Sequence, residues 1–215
     1  MGFLPLVLLL LGIAAGSWLS WISLQSLLQA RLLFRLARRP GETPDERGRQ
    51  AFYGRVSVAR AVQKGFGDLL WCRTEHQVYR RRGKSSSWRT ESTEEETADF
   101  RVEAHAGPVG LAEDPSEVQG SESRTDVQER TGWFGLGAGH GDRRTVYTFL
   151  RVCPYAAIVG RHRDLQWVER DNKLGLFLSS REPSQAAWVE VGKGVAGLLA
   201  VTVALAVALV VYYNR

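Results

Sequence analysis

The chain has 215 residues, a formal net charge of +5, 24% charged and 44% hydrophobic residues. That length suits one ordinary domain with accessories. The positive surplus suggests nucleic acid at first sight, but much of it is one arginine cluster beside an apolar stretch, so no nucleic acid is expected as a partner.

Charge is sharply partitioned along the chain. No Asp, Glu, Lys or Arg occurs from Phe3 to Gln29, nor from Gly194 to Tyr213. Each stretch meets the roughly 20 apolar residues needed to cross about 30 Å of hydrocarbon. There a helix is the single-segment structure that satisfies its own backbone groups. Residues 3–29 therefore read as one transmembrane helix, and 183–215 as a juxtamembrane helix running into a second. A cleaved signal peptide fits the first stretch less well. Nothing basic precedes Phe3, and the run exceeds the roughly 7–15 apolar residues of a signal core. Trp18 and Trp21 towards the inner end of the first span, Trp188 before the second, and Tyr212 and Tyr213 at its close are expected at the membrane interface.

Residues 30–49 read as a basic amphipathic extension and linker. Leu24, Leu28, Leu32 and Leu36 recur every four residues, which makes one apolar helical face. Arg31, Arg35, Arg38 and Arg39 lie between and beyond them, until Pro40-Gly41 ends the helix. Anionic lipid attracts such residues by about 1 kcal/mol per charge. With Lys193 ahead of the second span, they put the soluble domain in the cytoplasm and both termini outside. Cys72 and Cys153 are then expected as free thiols.

From 50 to 182 the pattern turns to a β-rich domain. Tyr53, Val56, Val58 and Val62 fall in a short strand region, and Leu69 to Arg81 in a longer one. Trp71 and Tyr79 share one face of the longer strand, with Leu70, Cys72 and Val78 on the other. Arg82-Gly83-Lys84-Ser85 reads as a turn and Ser87 to Ser92 as the returning strand. A hairpin centred on Lys84 brings Arg73 near Glu95, while Glu94-Glu95-Glu96 reads equally well as a solvated loop. Phe100, Val102 and Ala104 alternate before a turn at Gly107-Pro108, and Val109 to Ala112 continue the strand. Glu113 to Arg130 is polar and acidic and reads as a loop, partly disordered. Val146 to Val152, Ala156 to Val159 and Leu174 to Leu178 complete the core segments, and Pro183 to Val191 begins the last helix. The expected class is mainly β, a β-rich α+β soluble domain flanked by two transmembrane helices.

Small residues recur every four positions in both spans, as Gly12, Gly16 and Ser20 and as Ala196, Ala200, Ala204 and Ala208. Such faces let helices approach closely in lipid, so the spans are expected to pack together or to pair between copies as a homo-oligomer. Signals for chemistry are weak. The glycine-rich run Gly132 to Gly141 lacks the Gly-Lys-Ser/Thr and the strand–turn–helix context of a phosphate loop. It reads as a loop whose Trp133 and Phe134 could dip into a bilayer. His76, His105, His140 and His162 are scattered, and no Cys-x-x-Cys pair occurs. The expectation is no catalytic residue, no metal site and no cofactor. The partners expected are the lipid bilayer and a protein the sequence does not identify.

The plan of span, β-rich domain and span resembles the GIDE (beside-a-membrane) domain family, whose best-known members are ubiquitin ligases of mitochondrial and chloroplast membranes. Trp71-Cys72-Arg73 through Val78-Tyr79 to Trp88 is similar to the family's strand with an aromatic-rich return. Phe100 to Val109, with Gly107, and on to Asp114-Pro115 resembles its Phe-x-Leu-x-Asp-x-x-Gly segment, with Glu103 where the family usually has Asp. Pro154 to Gly160, with Tyr155, resembles its Val-Tyr-Val-Leu-Gly strand, and Phe177 to Ser180 its closing strand. The resemblance covers roughly 52–180 and both spans, and the order of the elements carries most of it. It implies a membrane-tethered interaction or sensing module. Family ligases carry a zinc-binding RING after the second span. No closely spaced Cys and His pairs for two zinc ions occur here, so the catalytic part is expected to be missing. The alternative is a ligase-like (E3 ubiquitin transferase family) or other enzyme that needs a partner subunit.

Overall fold

The computed structural model describes residues 3–38, 48–82, 85–105, 107–129, 141–164, 166–172 and 175–213. The chain forms two compact units, Met1–Arg39 with Glu182–Arg215, and Pro40–Arg181.

The first unit is an antiparallel helix pair, α1 (Phe3–Ala37) and α2 (Pro183–Tyr213). α1 ends at Ala37, and Pro40-Gly41, where the sequence predicts the stop, lies outside the described residues. Pro183 opens α2 at the first helical position, where its missing N–H costs nothing. Among the described residues, one stretch, Pro183–Ala206, is long and apolar enough to cross a membrane.

The second unit is mainly β. Its strands are β1 (Arg49–Arg60), β2 (Val62–Lys64), β3 (Gly67–Arg82), β4 (Ser85–Thr97), β5 (Asp99–Ala104), β6 (Gly107–Leu111), β7 (Glu117–Gln119), β8 (Glu122–Glu129), β9 (Arg143–Arg151), β10 (Tyr155–Asp164), β11 (Trp167–Glu169) and β12 (Phe177–Ser179). Five of them close on themselves in the order β1-β5-β6-β11-β10, and β10 pairs back with β1. Every neighbouring pair in this ring is antiparallel except β6 with β11, where Gly110 faces Trp167 and Leu111 faces Val168. This is a closed Greek-key barrel of the OB kind, and closure leaves these strands no free edge. β12 pairs with β10 beside β11, and β7 lies parallel to β12. The remaining strands form a second sheet, β2-β3-β9-β8, with β4 also on β3.

Alternation builds the core. Phe52, Phe100, Val102, Val109, Ile158 and Val168 all point inward from barrel strands and are buried. Leu69, Leu70, Cys72 and Phe149 of the second sheet belong to the same apolar cluster. The barrel must be narrow where strands cross, and Gly160 allows it. A Cβ there would stand 2.6 Å from the Glu169 carbonyl oxygen and 2.7 Å from Val168 Cγ1.

Several expectations are corrected. Glu113 to Arg130 is no loop over most of its length, because β7 and β8 lie within it. β8 pairs along β9 from Glu122 opposite Phe149 to Glu129 opposite Arg143. A strand at a sheet edge needs backbone partners more than an apolar face, and its charged side chains suit the exposed position. Gly107 and Pro108 open β6 rather than form a turn. Gly107 takes φ +114, a conformation that favours glycine. Pro108 sits before the residues that pair with β11, where its missing donor is harmless. The first strand is longer than expected, Arg49–Arg60, and the returning strand runs through Glu94-Glu95-Glu96 to Thr97. The last strand is Phe177–Ser179, and Leu174 lies outside the described residues. The glycine-rich run from Gly132 to His140, with Trp133 and Phe134, lies outside them too.

Candidate functional site

The helix pair carries the most distinctive surface. Serine and glycine bring its backbones together: a Cβ on Gly194 would stand 2.7 Å from Leu27 Cγ, and one on Gly197 would collide with the Ser23 hydroxyl. Ser23 Oγ turns inward and donates to the Leu19 carbonyl at 2.8 Å. Farther along, Phe34 meets Trp188 edge to face, ring centroids 5.3 Å apart. Glu190 is buried at 2% exposure and pairs with Lys193 at 2.5 Å, one turn on along α2.

A groove of about 410 Å³ runs beside this seam, lined by Leu27, Ala30, Arg31, Phe34, Arg35, Arg38 and Val191. Such a volume is within the roughly 300–1,000 Å³ of small-ligand sites. Its floor is apolar and its rim carries three guanidinium groups. The spacing 27, 31, 34, 38 is one helical face, so the same periodicity that placed leucines on one side of α1 gathers these arginines on another. Among the described residues none of the three arginines makes an ion pair. The groove can therefore offer positive charge to an anion while holding an alkyl chain below it.

The other expected site residues divide. Arg31, Arg35 and Arg38 come together in the groove, while Arg39 lies outside the described residues. Trp18, Trp21 and Trp188 are exposed at 67%, 58% and 66%. The two α1 tryptophans stand 13 to 16 residues from Phe34, hence about 20 Å or more along the axis from the Trp188 level. The side chains of Tyr212, Tyr213, Gly12 and Ala208 lie outside the description. Gly16 has open space where a Cβ would stand. Ser20 is half-buried, and Ala196, Ala200 and Ala204 are exposed. The seam uses Gly194 and Gly197 instead, which sit on a different face of the same helix. Their spacing of three, against Ser23 and Leu27 spaced by four, was the available sequence signal.

The residues that carry the family resemblance collect in the β unit. Trp71, Cys72 and Phe100 are core residues, Pro115 is buried between β6 and β7, and Gly160 lines the barrel. Arg73 lies over the Trp71 ring at 5.6 Å. Tyr155 is half exposed and stacks on Tyr53 with ring centroids 6.0 Å apart. These positions build the barrel and its seam with the second sheet. Burial raises the pKa of both thiols: Cys72, opposed by a weaker hydrogen bond with Thr74, and Cys153, whose Sγ donates to the Tyr155 carbonyl. Among the described residues, no three His, Cys, Asp or Glu side chains gather as metal ligands. In comparison with known proteins, the chain matches no family model, no curated protein and no solved structure.

Proposed function

We propose that this chain is a membrane-tethered module of GIDE type, held by two spans, that presents its β unit to a protein partner at the cytoplasmic membrane surface. It would act by interaction or sensing, without chemistry of its own. The observation that carries the reading is the outward surface of the helix pair. Trp18, Trp21 and Leu28 on α1 and Leu199, Val203 and Leu205 on α2 are all exposed to between 51% and 67%. So many large apolar side chains exposed on one helix pair are unfavourable in water and natural in lipid. The charge-free stretches of both helices and the arginines next to them support the same reading.

Alkaline carbonate extraction of membranes tests the tether. The full chain is expected to stay with the bilayer and to leave only in detergent, and release by carbonate alone would overturn the reading. A ubiquitin-transfer assay with metal analysis tests the absence of chemistry. Transfer by the purified chain, or stoichiometric zinc, would favour the ligase-like alternative.

A further inference from the structure

We propose that the groove beside α1 binds the headgroup phosphate of an anionic phospholipid, with part of an acyl chain lying on Leu27, Ala30 and Val191. This deepens the tethered-module reading and rests on it.

Three observations combine. First, Arg31, Arg35 and Arg38 crowd one face of α1 within two turns, and none forms an ion pair among the described residues. Like charges at such spacings repel, so an anion between them removes a cost as well as making contacts. Second, guanidinium forks match phosphate oxygens in pairs, and arginine tolerates a partly apolar setting better than lysine. Third, the floor is aliphatic and Phe34 is one wall, with Trp188 against it. A free phosphate would leave that floor wetted and unused. A lipid covers it, and tryptophan prefers the depth at which headgroups lie. A zwitterionic lipid would bring its own cation towards three others, so the preference is for a lipid with net negative charge.

The test uses the full chain in phosphatidylcholine nanodiscs doped with phosphatidylglycerol, and counts the phosphatidylglycerol retained on the protein by native mass spectrometry. The triple variant Arg31→Gln, Arg35→Gln, Arg38→Gln is compared with Arg60→Gln, Arg89→Gln, Arg143→Gln, which removes equal charge from the β unit. The groove variant is expected to lose about fivefold in affinity per arginine, and the β-unit variant to stay near wild type. A third variant with lysine at 31, 35 and 38 should recover only part of the loss, because charge returns without the fork. Equal loss in both glutamine variants, or full recovery with lysine, would mean diffuse attraction and overturn the site. Displacement of the lipid by millimolar inorganic phosphate would make the ligand a free anion and overturn it too. If carbonate strips the chain from membranes, the tether itself fails. If the chain stays embedded but shows no lipid preference, the headgroup inference alone fails.

Discussion

Gly194 on α2 lies so close to Leu27 on α1 that a Cβ there would stand 2.7 Å from Leu27 Cγ. One turn away Gly197 faces Ser23 with no more room. In the membrane setting proposed above, where burying apolar surface gives helices no reward for associating, such close backbone contact would supply the attraction. Gly194→Leu and Gly197→Ile are therefore expected to weaken the α1–α2 pair by about 1–3 kcal/mol each. Gly16→Ile, placed where the chain leaves open space, should not. Near-UV circular dichroism on thermal unfolding in detergent reads the difference. Equal melting of all three variants would sink the assignment of the seam.

In the barrel, Gly160→Ala should destabilise the β unit by about 1–3 kcal/mol. Its Cβ meets the Glu169 backbone and Val168, which close the barrel through β11 and cannot yield without parting strands. Gly65→Ala meets nothing within 4 Å and should be neutral. Urea midpoints of the two variants, measured on the full chain, make the comparison.

Thiol reactivity should follow burial. The nucleophile is the thiolate, and burial raises the pKa of both cysteines. Neither is expected to react quickly at neutral pH. As pH rises, half-buried Cys153 should be modified first, and fully buried Cys72 only when the chain unfolds. An aromatic disulfide reagent followed by peptide mapping distinguishes them, and equal rates in the folded chain would contradict the packing around Cys72. For the proposed orientation, an impermeant reagent applied to intact cells under alkaline conditions should leave Cys153 unlabelled until lysis.

Lys64 on β2 pairs with Glu96 on β4, and the hydrogen bond to that carboxylate raises the lysine pKa above its ordinary 10.5. A raised lysine pKa contributes stability that is complete below its unfolded value and lost as pH climbs through the folded one. Glu96→Gln should therefore cost less than about 1 kcal/mol at neutral pH, as for exposed pairs. The difference from wild type should vanish once pH has passed the raised lysine pKa, and should also shrink in high salt. Urea midpoints against pH check the sign, and a gap that widened with pH would contradict it.

The β3–β4 hairpin shows how far local reading reaches. A centre at Lys84 predicts Arg73 opposite Glu95, and the two form an ion pair at 2.7 Å. Yet the tip pairs Arg82 with Ser85, half a residue away from that centre. A bulge restores the register: Gln77 faces Thr90 while His76 faces Ser92, leaving Glu91 as the extra residue. The pairing was legible in the charges, and the irregularity that delivers it was not.

What the sequence determined by itself is local or one-dimensional: two helices with long uncharged apolar stretches, the arginine face of α1, and the inward alternation of Phe100 and Val102. Each depends on neighbours within a few residues, so periodicity records it. Barrel closure came only with tertiary structure. It joins Gly110 to Trp167 and Leu111 to Val168, residues with nothing between them in sequence that favours the pairing. β8 is similar, because backbone hydrogen bonds to β9 make a strand of Glu122 to Glu129 whatever its side chains. The helix seam is the third case. Both the alanine stripe and the Gly194–Gly197 face are small, and what separates them is whether Ser23 and Leu27 stand opposite. A one-residue rotation of a helix by about 100° changes which face meets its partner, and only packing in three dimensions selects it.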